Sequence, residues 1–84
     1  MGTSSVGQRF QQAVWLAQQG KREAAASVFA GIVTQEPEYE AAWLWLAACL
    51  DDPARRRYCL ERALQINPGN LRARRLLASL TPAA

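Results

Sequence analysis

The chain has 84 residues, half of them apolar, with ten basic and seven acidic side chains, no histidine and a net charge of +3. That length holds one small domain, which buries only a little over ~60% of the surface its unfolded chain exposes, and so apolar a composition, with 5 Gly and 4 Pro, excludes a disordered tail. The longest apolar run, Ala41 to Leu50, falls well short of the ~20 residues that span a bilayer, so neither a transmembrane helix nor a membrane partner is expected.

Charge is unevenly placed. Through Leu50, Glu23, Glu36, Glu38 and Glu40 slightly outnumber Arg9, Lys21 and Arg22. Beyond it, Arg55, Arg56, Arg57, Arg62, Arg72, Arg74 and Arg75 face only Asp51, Asp52 and Glu61, so the C-terminal half is the basic half. Cys49 and Cys59 fit neither a disulfide framework nor a zinc site, since no C-x-x-C spacing occurs. Both read as small buried hydrophobes. No basic segment leads into an apolar core near Met1, and Val6 stands where a myristoylation motif after Gly2 needs Ser or Thr. The cytoplasm is the expected compartment.

In chain order, the small polar stretch Met1 to Val6 leads into a first helix over about 6–19, with Ser4 or Ser5 as its cap and Gly20 as a left-handed stop. Phe10, Ala13, Val14 and Ala17 form its apolar stripe, widened by Trp15 and Leu16. A second helix over about 21–35 carries Ala24, Ala25, Val28, Phe29, Ile32 and Val33 at helical spacing and ends before Pro37. The third helix, about 39–50, is the densest segment. Trp43-x2-Leu46-Ala47-x2-Leu50 lines one face of it, while Ala41, Leu44, Trp45 and Ala48 lie off that face. A helix this apolar all round has to be covered from more than one side. Asp52 as N-cap and Pro53 as first residue start a fourth helix over about 53–66, with Leu60, Ala63 and Leu64 as its core face. Asn67-Pro68-Gly69-Asn70 is a turn by composition. Asn70 can cap a fifth helix over about 70–80, with Ala73, Leu76, Leu77 and Leu80 on one side, Arg72, Arg75 and Ser79 on the other, and Thr81-Pro82 as its stop.

Five helices joined by very short turns pack as antiparallel neighbours, so the expected fold is all-α. The helix pairs also repeat. Phe29 stands eight residues before Pro37, and Leu60 eight before Pro68, which brings Ile32-Val33 into register with Ala63-Leu64.

With those residues in place the chain resembles the tetratricopeptide repeat family, whose unit reads W-x2-L-G-x2-Y, then A-x3-F, then P over a helix-turn-helix. Ala25-x3-Phe29 followed by Pro37 matches the back of one repeat, and Trp43-x2-Leu46-Ala47-x2-Leu50 the front of the next, with Ala for Gly and Leu for Tyr. The resemblance implies two repeats and a terminal helix, stacked as a short α-solenoid. Departures are concrete: Arg9 and Gln12 stand where the family has Trp and Leu, Arg56 replaces the alanine, and Leu50 to Leu60 is three residues shorter than Leu16 to Phe29. That shortening falls at Asp51-Asp52-Pro53 and is expected to tighten the hairpin without removing either helix.

The resemblance also implies a concave surface, built from the first helix of each pair, that takes peptide segments of partner proteins. On this chain it would comprise Phe10, Gln11, Val14 and Gln18, then Leu44, Trp45 and Ala48, then Arg72 and Arg75. An apolar groove edged by arginines suits an amphipathic or extended segment carrying acids. Alternatively, the apolar members simply pack together, or they meet a second copy of the chain in a homodimer or serve as the oligomerisation unit of a larger protein. Arg55, Arg56 and Arg57 form a candidate basic patch for nucleic acid. Apart from Tyr58 no aromatic alternates with them, so the stacking platform of single-strand binders is missing, and a solvated face with local ion pairs is the preferred reading. Nothing points to catalysis: neither cysteine has a base beside it, the carboxylates cluster at helix ends, and no glycine-rich phosphate loop occurs. No cofactor or metal is expected, and a protein–protein interaction module is.

Overall fold

The structure, a computed structural model, describes residues 5–80. Five α-helices follow in order: α1 (Val6–Gln18), α2 (Arg22–Gln35), α3 (Glu40–Cys49), α4 (Pro53–Ile66) and α5 (Leu71–Leu80), with no strand among the described residues. The Thr81-Pro82 stop and the Ser4 alternative for the first cap lie outside the described residues.

Each boundary has a local cause. Ser5 Oγ accepts from the Gln8 amide at 3.2 Å, satisfying one of the free donors at the start of α1. Gly20 ends α1 with φ +81°, a left-handed conformation that costs glycine nothing and any other residue strain. Asp52 accepts from the Ala54 amide at 3.1 Å, and Pro53, which has no amide hydrogen to satisfy, opens α4. Asn70 Oδ1 accepts from the Ala73 amide at 2.9 Å to start α5.

Successive helices pack closely, α1 on α2, α2 on α3, α3 on α4 and α4 on α5, with a lighter contact between α1 and α3. Paired antiparallel neighbours, extended to 53 × 26 × 17 Å, give an all-α arrangement of the helical-repeat type. The core runs along the whole length. Ala13, Ala25, Phe29, Ile32, Ala42, Leu60, Ala63 and Ala73 are fully buried, and five of these eight are alanines, which let helix axes approach closely. Phe29 sits at the centre. Phe10 meets its ring edge-on, with centroids 5.7 Å apart, and the Trp45 indole stacks on it at 5.8 Å, so one side chain of α2 joins α1 to α3. Ala24, placed on the apolar stripe of α2 by spacing alone, is exposed, because α2 turns Ala25, Phe29, Ile32 and Val33 inward.

The three-residue shortening is not where the sequence placed it. Both hairpin connectors have the same length: residues 19–21 between α1 and α2, residues 50–52 between α3 and α4. What is missing is the last turn of α3, which has 10 residues where α1 has 13. The physical reason is Pro53, which pushes Asp52 out of helical geometry, while Asp52 itself is already committed to capping α4. Leu50 is consequently extended, and Arg22 of α2 covers the truncated end by donating to the Ala48 carbonyl at 3.4 Å and pairing with Asp51 at 2.9 Å.

Phe29→Ala removes the side chain shared by three helices and is expected to cost about 3–5 kcal/mol in urea unfolding. Trp15→Ala, at a side chain 54% exposed, is expected to cost under ~0.5 kcal/mol. Equal costs for the two would show that Phe29 is not the central joint.

Candidate functional site

α3 has two faces not covered by its close neighbours, and each carries a cavity. The first lies between α3 and α5, measures about 410 Å³, and is lined by Ala41, Leu44, Trp45, Ala48, Arg72 and Leu76. Four of the residues named from the sequence, Leu44, Trp45, Ala48 and Arg72, therefore converge on one site, and Ala41 and Leu76 complete it. Arg75 is exposed on the same helix but does not line the cavity. The four positions from α1 also stay outside it. Gln11 and Gln18 are exposed, Val14 is half-buried, and Phe10 is held between Phe29 and Tyr39, whose ring stacks on it with centroids 5.1 Å apart.

Trp45 serves the cavity and the core at once, since the indole that lines the cavity also stacks on Phe29. Leu44, half-buried, and Ala48, exposed, line the cavity without appearing in any ring contact of the core. The other tryptophan of α3 is differently employed. Trp43 is 7% exposed, its indole N–H donates to the Pro37 carbonyl at 2.7 Å, Tyr58 meets it edge-on, and the Arg62 guanidinium lies 5.6 Å above its ring. Trp43 thereby ties α3 to α4 as Trp45 ties it to α2.

The far wall of the α3/α5 cavity is fixed by Glu40. From the first turn of α3 its Oε2 accepts hydrogen bonds from the side-chain amides of both Asn67, at 3.0 Å, and Asn70, the residue that caps α5. Asn67 Oδ1 in turn accepts from the Gly69 amide, closing the turn between α4 and α5. One carboxylate thus sets where α5 begins and how Arg72, two residues later, meets the groove.

The second cavity lies on the other side of α3, between α2 and α4, which touch one another at most marginally. It measures about 560 Å³. Trp43, Leu46 and Leu50 form its floor, Ala26, Ser27 and Ala30 one wall, Ala54, Tyr58 and Cys59 the other, with Glu23 and Arg55 at the rim. Nothing in the side-chain pattern of any one helix announces it. The signal was the shortened interval between Leu50 and Leu60, because the lost turn of α3 would have stood beside this space.

The three consecutive arginines of α4 do not form one patch. Residues one apart on a helix point ~100° away from each other. Arg55 goes to the rim of the second cavity, Arg56 is half-buried, and Arg57 is exposed. Arg56 replaces the small residue that Ala25 supplies in the first hairpin, and it is half-buried, with its guanidinium Nε enclosed by the fold without a hydrogen-bond partner. Arg9, at another departure from the repeat pattern, crosses α2 where Gly31 leaves room for its guanidinium, and donates to Gln35.

Neither thiol is chemically poised. Burial pushes the Cys59 thiol up to about 11 from its ordinary 9.0, against a smaller opposing pull from Arg55, and burial raises Cys49 likewise against Arg22. Among the described residues no three His, Cys, Asp or Glu side chains gather where they could hold a metal ion, and no helix is long and apolar enough to cross a membrane. No protein-family model and no curated protein matches the chain.

Two outcomes test this description. Glu40→Ala leaves two asparagine amides without their acceptor and is expected to destabilise the chain by about 1–2 kcal/mol, with faster amide exchange at Ala73 than at Ala63. An unchanged exchange rate at Ala73 would show that α5 is held by its leucines alone. For Cys59 the folded pKa lies above the unfolded one, so its contribution is complete below about pH 9 and is lost as pH rises toward about 11. Stability measured across that interval is expected to fall more steeply for the native chain than for Cys59→Ala. Parallel slopes would contradict a raised thiol.

Proposed function

We propose that the chain is a tetratricopeptide-like interaction module without catalytic activity, and that the α3/α5 cavity holds an amphipathic segment of a partner protein whose polar edge is acidic. One observation carries this reading: an apolar cavity floored by Leu44, Trp45 and Ala48 is bordered by a helix that bears Arg72, Arg74 and Arg75 and no acid at all. Apolar side chains of the partner would displace water from the floor, which is where most binding free energy arises, and its carboxylates would meet Arg72 at the rim. The rigid helices on either side are already in place, so little ordering cost attends docking.

The tetratricopeptide assignment is supported by the paired helices, by Ala25 and Phe29 buried together where the motif puts its small and large residues, and by Trp43 buried at the motif's tryptophan position. Unpaired, buried Cys49 and Cys59 favour a reducing compartment, the cytoplasm. Nucleic acid is the weaker reading, because Arg55, Arg56 and Arg57 diverge along α4 and Tyr58, the ring next to them in the chain, is engaged with Trp43.

A displayed library of amphipathic peptides, half with acidic and half with basic polar faces, tests the proposal, with Trp fluorescence as the second readout. Selected sequences are expected to be acidic. Arg72→Glu is expected to weaken them by about tenfold or more, and Leu44→Asp to abolish binding with helical circular dichroism intact. Trp45 is a poor choice for that test, since its loss also strips a stacking partner from Phe29. Selection of basic peptides, or indifference to both substitutions, would overturn the reading.

A further inference from the structure

The cavity between α2 and α4 is the larger of the two and takes no part in the proposed peptide site, so it asks for its own occupant. Its floor is Trp43, Leu46 and Leu50, and from its α4 wall Tyr58 stands 57% exposed, a large ring with one edge on Trp43 and the rest in solvent. The opposite wall is Ala26, Ser27 and Ala30, three small side chains that let another helix come close.

Charge selects among occupants. The only ionised groups on the lining are Glu23 from α2 and Arg55 from α4, one of each sign, on facing rims. The one ion pair within 4 Å among the described residues is Arg22 with Asp51, so neither Glu23 nor Arg55 stands in such a pair within its own chain. A uniformly acidic partner would meet Glu23, and a uniformly basic one Arg55. A surface that carries both signs on opposite edges is instead complementary to itself when turned through a twofold axis, because in such a contact residue i meets j and j meets i.

We infer that the α2/α4 face is an isologous dimer interface: a second copy of the chain seats there with Glu23 of each copy opposite Arg55 of the other, and Tyr58 of each entering the small-residue wall of its mate. Two symmetric charge pairs and two rings fill what would otherwise be a wet apolar trough over Trp43. The pairing uses the face opposite the peptide cavity, so each copy keeps its α3/α5 groove, and the dimer offers two grooves to a partner with two acidic segments.

Sedimentation equilibrium over a wide range of concentration tests this directly. The native chain is expected to show a monomer–dimer equilibrium. Glu23→Arg or Arg55→Glu alone places like charges across both symmetric contacts and is expected to weaken dimerisation by about tenfold or more. The double substitution Glu23→Arg with Arg55→Glu restores opposite signs and is expected to return the dimer to near its native strength, which rules out unfolding as the cause of the single effects. Arg72→Glu, on the other face, is expected to leave the mass unchanged, which separates this inference from the peptide site. A strictly monomeric native chain, single swaps without effect, a double swap as weak as the singles, or a dimer broken by Arg72→Glu would each overturn it.

Discussion

The length of α3 is the constraint from which the rest of the molecule follows. At 1.5 Å per residue its 10 residues extend about 15 Å, against about 20 Å for the 13 residues of α1. Its start is held by Glu40 and the turn before α5, and its end is cut by the cap and proline of α4. A helix so apolar all round cannot be covered on every side by α2 and α4 alone. The uncovered area divides between two cavities, one facing α5 and one lying over the gap between α2 and α4.

What keeps such a helix in place is a set of ring contacts on its two tryptophans. Tyr39, Phe10, Phe29 and Trp45 form a continuous series in which each ring touches the next, joining α1, α2 and α3. Trp43 does the same toward α4 through Tyr58 and Arg62, and it is additionally pinned by its hydrogen bond to Pro37. The two indoles are adjacent but one in sequence and so point about 200° apart, which is why they serve different neighbours. Aromatic pairs of this kind add roughly 0.5–1.5 kcal/mol each beyond the area they bury, a meaningful share for a domain whose total stability is of the order of 5–15 kcal/mol.

Much of this was legible in the residues. Ser5, Gly20, Asp52-Pro53 and Asn70 are strong local signals, and each begins or ends a helix within a residue of where spacing and capping chemistry place it. The four cavity residues Leu44, Trp45, Ala48 and Arg72 were legible too, because excess apolar surface on one helix and charge on another are properties of side chains, not of packing. The exclusion of Phe10, Val14, Gln11 and Gln18 from that cavity was not; for Phe10 it goes with Tyr39, a residue in a connector, stacking on its ring. The second cavity was hidden for a related reason. A three-residue deletion has a definite position in the chain, yet whether it shortens a turn or a helix is decided by which neighbouring cap holds harder, and here Asp52 held.

The distribution of charge then separates the two faces by kind of partner. Arg72 stands in the first turn of α5, where a positive group opposes the helix dipole by some tenths of a kcal/mol, and no acid in that turn relieves it. Glu40, whose carboxylate holds the turn before α5, spends Oε2 on Asn67 and Asn70. An incoming carboxylate therefore gains both from Arg72 and from the dipole behind it, a double preference that a surface of mixed sign does not have. On the α2/α4 side Glu23 lies in the first turn of α2 and Arg55 in that of α4, so a partner bringing one sign loses at one rim what it gains at the other. A second copy of the chain, carrying the same two charges in the same geometry, would gain at both rims.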